Sequence, residues 1–210
     1  VQRQREDAVV AAYQEIVVHP GEGSPGSDTA SGLAEFGRVR LRMENLPTVD
    51  ELNWALLLLR VVVGPVFAFH GYAKIFRGGR LAGTAGWFDS MGMRPGHIHA
   101  RLAAGGELAT GICIALGLFT PIAGLGLVAL MTVAFWTVHR GHGLLVFQNG
   151  WEYNLVLATI GGFLGLVGPG EHSLDNAIGF DVNGGAGLAI AVGGGILAAA
   201  GLLGVFFRPP

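Results

Sequence analysis

The sequence predicts an all-α protein: a polytopic transmembrane helical bundle with a four-helix core and a fifth, C-terminal transmembrane helix. Three observations carry that expectation. Of 210 residues, 51% are hydrophobic and only 13% charged, with a mean hydropathy of +0.52, which is the composition of a chain dissolved in lipid rather than water. Apolar residues gather into stretches of roughly 20, long enough to cross a bilayer as helices. Finally, most of the 36 glycines lie inside those stretches, where small residues let membrane helices approach closely although they would weaken soluble ones. Gly106 to Thr110, Gly111 to Ala115 and Gly161 to Gly165 have the small-xxx-small spacing, read first as general packing rather than as a dimer motif.

Residues 1–52 are polar, with Gly, Ser and Pro concentrated in HPGEGSPGSDTASG, and are expected to form a mostly disordered tail. A short helix is expected from Asp7 to Val18. The tail holds nine of the fifteen acids, so the acids of the membrane half stand out. No apolar core with a cleavage site precedes the first span, and no cleavable signal peptide is expected. The chain opens on Val1 and its first Met is Met43. A native start at Met43, or at a non-Met codon, is a hypothesis that the intact mass of the natively expressed protein decides.

The first span, Asn53 to Phe76, reads NWALLLLRVVVGPVFAFHGYAKIF. At a rise of about 1.5 Å per residue it reaches across a bilayer, yet it carries Arg60, His70 and Lys74. Ionisable groups in lipid need a partner, a protein interior or a headgroup, so each requires explanation. Four spans follow, at Ile98 to Phe119, Pro121 to Val138, Trp151 to Val167 and Gly187 to Phe207. The core therefore runs over residues 53–178 and the fifth span and C-terminus over 179–210. Only Thr120 lies between the second span and the third, which opens on Pro121, and this implies a tight hairpin or a bent pair. Between the first two spans, GGRLAGTAGWFDSMGMRPGH is expected to lie on the membrane surface with Trp87 and Phe88 facing the lipid. The fifth span has no ionisable residue before Arg208 and reads as packing or anchoring.

Five spans put loops one and three and the C-terminus on one face. That face carries Lys74, Arg77, Arg80, Arg94, Arg101, Arg140 and Arg208, against Arg38, Arg40 and Arg42 on the other. The balance predicts a multi-pass cell-membrane protein with loops one and three in the cytoplasm.

The same topology gathers His70, Lys74, Glu107, His139, His142 and Glu152 near one membrane boundary, with Tyr72, Trp136, Trp151 and Tyr153 around them. By helix rise, Glu107 is expected level with about Phe67, which makes His70 its nearest partner and Arg60 a more distant one. The plain reading is that these groups are interfacial or hold the bundle together. A functional reading makes Glu107 and His70 the proton-handling or quinone-binding pair, with Arg60 and Lys74 as charge partners and Tyr72, His139, His142, Trp151 and Glu152 as a candidate quinone pocket. Haem or another metal on His70 with His139 or His142 finds little support in the spacing, and no metal site is expected. Lone Cys113 forms no intrachain disulfide. No broken-helix repeat suggests a transporter, and no basic patch interleaved with aromatics suggests nucleic acid.

The stretches LLLRVVVGPVFAFHGYAKIF, ELATGICIALGLFTPIAGLGLVALM and GPGEHSLDN resemble the DoxX family of small integral membrane proteins. The resemblance covers residues 54 to about 178. The family motif maps to Arg60, Gly64, His70, Gly71, Lys74 and Glu107, with a closing Ser173 and Asp175. It implies a four-helix membrane core and a loose association with redox function: a DoxD relative is a subunit of a thiosulfate:quinone oxidoreductase, and mycobacterial DoxX is linked to a membrane oxidoreductase complex. The polar tail and the fifth span lie outside the family core. The expected function is thus a quinone-linked subunit of a membrane oxidoreductase complex, embedded in the bilayer and working with protein partners. It has no evident cofactor of its own. The alternative is a non-catalytic anchor or assembly factor. Glu107→Gln separates the two, abolishing quinone binding under the first and changing only stability or partner retention under the second.

Overall fold

Thr48 opens the first helix through a capping box. Its Oγ1 accepts from the Glu51 N–H at 3.2 Å while the Glu51 carboxylate accepts from the Thr48 N–H at 2.7 Å. Helix α1 consequently begins at Val49, four residues ahead of the expected span, and runs to Phe76. These positions come from a computed structural model that describes residues 47–209. Residues 1–46 of the expected tail, with the helix expected over Asp7 to Val18 and the start expected at Met43, lie outside the described residues, whereas Val49 to Leu52, expected in the disordered tail, are helical.

Along α1 the buried positions are Asn53, Leu56, Arg60, Gly64, Phe67 and Gly71. Steps of three and four keep them on one face, so α1 presents a single stripe to the protein. Its other faces are apolar and bare: Leu58 is 64% and Val62 54% exposed. On a water-soluble protein so continuous a greasy surface is a liability, whereas in a bilayer it faces acyl chains.

The stripe packs on α3 (Gly96–Leu116). A methyl group added at Gly64 would sit 2.5 Å from the Ala115 nitrogen and 2.6 Å from the Gly111 oxygen. One added at Gly71 would sit 2.6 Å from the Leu108 nitrogen. Backbone therefore meets backbone at two levels, which only glycine permits. The Gly111 to Ala115 pair from the small-residue spacing forms half of this seam.

Helix α3 ends at Gly117, whose φ of 61° is left-handed, and Phe119 turns the chain again with φ of 46°. Helix α4 (Thr120–Ala134) follows at once and continues as a π-helical turn over Phe135–His139. The expected hairpin is thus present. Helix α5 (Glu152–Val167) packs on α4, with Gly161 against Gly124. Leu56 and Phe67 from α1, Ile114 from α3, Leu127 and Met131 from α4, and Leu157 and Leu164 from α5 close a common four-helix core.

After α5 come a short α6 (Leu174–Ile178) and a rod made of α7 (Gly184–Leu188), a π turn over Ala189–Gly194 and α8 (Gly195–Phe206). This rod lies along α4 and α5, where Gly187 meets Gly165 and Gly195 meets Val128. Among the described residues, three helices are long and apolar enough to cross a membrane: Val49–Phe76, Thr120–His139 and Gly184–Phe206. The other two expected spans are helices of the same bundle. α3 is diluted by His97, His99, Arg101 and Glu107, and α5 has only 16 residues.

The connection between the first two spans differs from expectation. It folds as α2 (Arg80–Ser90), and Phe88 and Met93 are buried against Ala100, Leu202 and Phe207 rather than laid on lipid, while Trp87 stays exposed. Asp89 accepts from the Gly96 N–H at 2.7 Å, supplying the start of α3 with an acceptor its own N-cap, Pro95, lacks. An isolated bridge from Met93 to Phe207 ties loop one to the C-terminus. These two segments therefore share one end of the bundle, as the topology predicts.

Candidate functional site

Glu107 is buried in the middle of α3, and its carboxylate meets the Lys74 ammonium at 2.5 Å. His70 is not its partner. The glycine contacts set the register: Gly64 lies opposite Gly111 and Ala115, and Gly71 opposite Ala104 and Leu108, so Glu107 is level with His70 rather than with Phe67. Direction then decides. Lys74 lies three residues beyond Gly71, about 60° round the helix and close to the stripe, whereas His70 is turned about 100° away. His70 is exposed, with its ring 6.3 Å from that of Tyr153 on α5. One end of the bundle thus holds an ion pair, an imidazole and a phenol on three helices.

The remaining residues of the expected quinone pocket do not share one cavity. Tyr72 stacks on Phe69 and Phe76 and lines a groove between α1 and α3. Trp151 meets Phe135 edge to face at 5.7 Å and lines a separate cleft between α4 and α5. His139, His142 and Glu152 hold the loop between these helices. His139 Nδ1 lies 2.6 Å from the Asn149 oxygen, His142 Nδ1 lies 3.0 Å from the Val138 oxygen, and the Glu152 carboxylate accepts from the Val146 N–H at 3.0 Å.

Arg60 lies elsewhere. Ten residues from His70, it reaches the opposite end, where it is fully buried beside Gly117 and donates from Nη2 to the His172 oxygen at 2.5 Å. It is therefore not a charge partner of Glu107. Nε and Nη1 have no partner among the described residues. Asp175, also buried, accepts from the Phe119 N–H at 2.6 Å, the Thr120 N–H at 2.8 Å and the Thr120 hydroxyl at 2.7 Å. It caps α4 from a distance, because Phe119 offers no capping side chain of its own. Ser173 donates to the Gly170 oxygen and caps α6 by accepting from Asn176 N–H, and Asn53 accepts from the Glu171 N–H at 3.0 Å. The GPGEHSLDN segment thus clasps the start of α1 to the α3–α4 turn.

A family model described as DoxX matches residues 55–140. This is the family expected from the sequence. The DoxX match takes in α1 to α4 and the π turn, with Arg60, Gly64, His70, Gly71, Lys74 and Glu107, and stops before Ser173 and Asp175. Over 84 residues the chain is 31% identical to a Haemophilus influenzae protein described as uncharacterized, covering 40% of this chain and 56% of the relative. The chain therefore spans little more than half the length of that relative. No solved structure matches. With its DoxX segment and long lipid-ready helices, the chain is a membrane protein.

Two polar residues escaped the sequence reading. Asn154 on α5 is 5% exposed and lines the same cleft as Trp151, with Met131, Thr132, Phe135, Leu155 and Ala158. Its Nδ2 donates to the Met131 oxygen at 3.4 Å, and its Oδ1 has no partner among the described residues. His99 on α3 is buried among apolar neighbours with Nε2 likewise unpartnered. Both lie where the hydrophobic pattern calls for an apolar side chain, and that mismatch is the signal. Among the described residues no group of three or more His, Cys, Asp or Glu side chains is placed to hold a metal.

Proposed function

We propose that this DoxX-type membrane protein is a redox-associated subunit that takes a quinol or quinone ring from the bilayer and exchanges electrons through partner proteins. The observation that carries the reading is the Asn154 amide oxygen, buried without a donor in a cleft of about 210 Å³ between α4 and α5. A buried unpaired acceptor costs roughly 1–3 kcal/mol, and a quinol hydroxyl is a donor that removes this cost. Phe135 and Trp151 provide aromatic walls, and the cleft lies beside the π turn Phe135–His139, a distortion that often marks functional positions. When bound, the ring supplies two-electron, two-proton chemistry. The chain itself orients the ring through Asn154 and excludes water with Met131, Leu155 and Ala158. Tyr153, adjacent to Asn154, leads toward His70 and the Lys74–Glu107 pair, which hold protons close to the membrane boundary.

The test is quenching of tryptophan fluorescence in the full chain, in lipid nanodiscs, by a short-tailed quinol analogue. Saturable quenching is expected, weakened about tenfold by Asn154→Leu, the size of one buried hydrogen bond. Glu107→Gln is expected to keep the affinity within a few-fold, because Glu107 does not line this cleft. Equal affinity for Asn154→Leu and wild type, or no saturation, overturns the reading. A second reading, a non-catalytic anchor or assembly factor, is favoured by the way Asp175, Glu152 and His139 are consumed in holding backbone. Unchanged quinol binding together with loss of co-purifying partners on disrupting α2 or the 140–151 loop would support it.

A further inference from the structure

His99 enters the bundle one turn into α3, where α2, α3, α4 and α8 leave a half-open cavity of about 180 Å³. Phe88, Leu130, Val133, Ala199 and Leu202 are among its walls, and every wall residue except His99 is apolar. His99 is 2% exposed, and its Nε2 has no partner among the described residues. Aromatic edges flank the imidazole, with Phe88 at 6.1 Å and Phe206 at 5.0 Å between ring centroids. Ala198, Ala199 and Leu202 come from the terminal rod, outside the DoxX match, so this cavity depends on a segment beyond the family region.

Physical chemistry narrows the occupant. Water needs two to four polar partners to stay in a cavity, and this one offers a single nitrogen, whereas a dry apolar cavity of about 150 Å³ is known to take up benzene. An ion is excluded by the lack of a counter-charge in the walls. A bare hydrocarbon fills the space but leaves Nε2 unpaired. A hydroxyl both donates and accepts, so it satisfies either imidazole tautomer. We propose that the cavity binds a small neutral ring bearing a hydroxyl group, a phenol-class molecule, with the hydroxyl on His99 Nε2. The site is separate from the Asn154 cleft and stands or falls without it.

The experiment titrates the full chain, labelled with ¹⁵N-histidine in nanodiscs, with p-cresol and with toluene. The His99 Nε2 resonance, assigned by its loss in His99→Leu, is expected to shift saturably with p-cresol. Toluene, which has the same shape without the hydroxyl, is expected to bind about tenfold more weakly. In His99→Leu the two should bind alike. An unmoved His99 resonance, or equal affinities in the wild type, overturns the proposal, and that wild-type comparison holds even if the variant fails to fold. A short-tailed quinol that displaces p-cresol identifies a lipid-borne ring as the source of the hydroxyl. Retained p-cresol identifies a free phenol. Asn154→Leu should change neither titration, which keeps this result distinct from that of the α4–α5 cleft.

Discussion

Lys74–Glu107 and Arg60–Asp175 lie at opposite ends of the same stripe on α1, fourteen residues or about 21 Å apart. They handle charge differently. At the first end an acid and a base cancel directly, with side chains 11% and 24% exposed. At the second the acid is spent on three donors at the start of α4, and the arginine on a backbone oxygen. A carboxylate tied to backbone is part of the scaffold, whereas one tied to a partly exposed lysine keeps contact with the surface of the bundle. Burial alone does not distinguish them, since Asp175 is the more deeply buried acid.

The comparison breaks most visibly at Asp175. Asp175→Ala leaves one buried and one part-buried N–H group and a buried hydroxyl without an acceptor, and leaves Arg60 without its neighbouring carboxylate. The expected loss is about 3–5 kcal/mol, read from denaturant unfolding in detergent. Asp175→Asn, which keeps one acceptor oxygen, should recover part of it. Were Asp175→Ala to cost no more than Glu107→Gln, the distinction between scaffold and site would collapse.

Packing is the control. Gly64→Ala and Gly71→Ala place a methyl against α3 two turns apart, about one turn from Arg60 and about one turn from Lys74 respectively. Overpacking costs roughly 1–3 kcal/mol, against a helix-propensity gain of about 1 kcal/mol. Both should lower stability by about 0–2 kcal/mol, and by similar amounts, in the same unfolding measurement. Unequal losses would mean that the seam itself differs between the ends.

Much of this was legible. Long apolar stretches gave the bundle, and the glycines gave its close seam. The choice between His70 and Lys74 was legible too, but only through the spacing 53, 56, 60, 64, 67, 71, which puts Lys74 beside the stripe and His70 off it. A depth argument along the axis carries no information about direction around it, whereas Arg60 faces α3 on the stripe and is separated from Glu107 by depth, ten residues from its level. The capping roles of Asp89 and Asp175 were hidden because each acceptor serves a helix that it does not begin. No charge pattern in the sequence marks Asn154 or His99, and an unpaired polar atom in a core shows itself only once its neighbours are known.

Breaking the ion pair has a smaller effect. Glu107→Gln leaves a lysine that can extend toward the headgroups, so about 1–2 kcal/mol of stability is expected to be lost. The double substitution Lys74→Met with Glu107→Leu should restore most of it, because two apolar side chains suit the site as well as a partly exposed pair. A thermodynamic cycle over the four proteins measures the coupling. A value near zero would show that the 2.5 Å contact does not persist in the bilayer.

The smallest effect on stability is expected at Asn154, and it has the greatest bearing on function. Asn154→Leu removes one weak hydrogen bond of 3.4 Å to Met131 and also removes the unpaired Oδ1. The first loss costs at most about 1 kcal/mol and the second gain is of similar size, so stability should stay within about 0.5 kcal/mol of wild type. A residue that only held the bundle together could not be exchanged so cheaply. Unfolding free energy and quinol affinity, measured on one preparation, separate the cases: unchanged stability with weakened binding marks a site, and lost stability with unchanged binding marks Asn154 as scaffold, like Asp175.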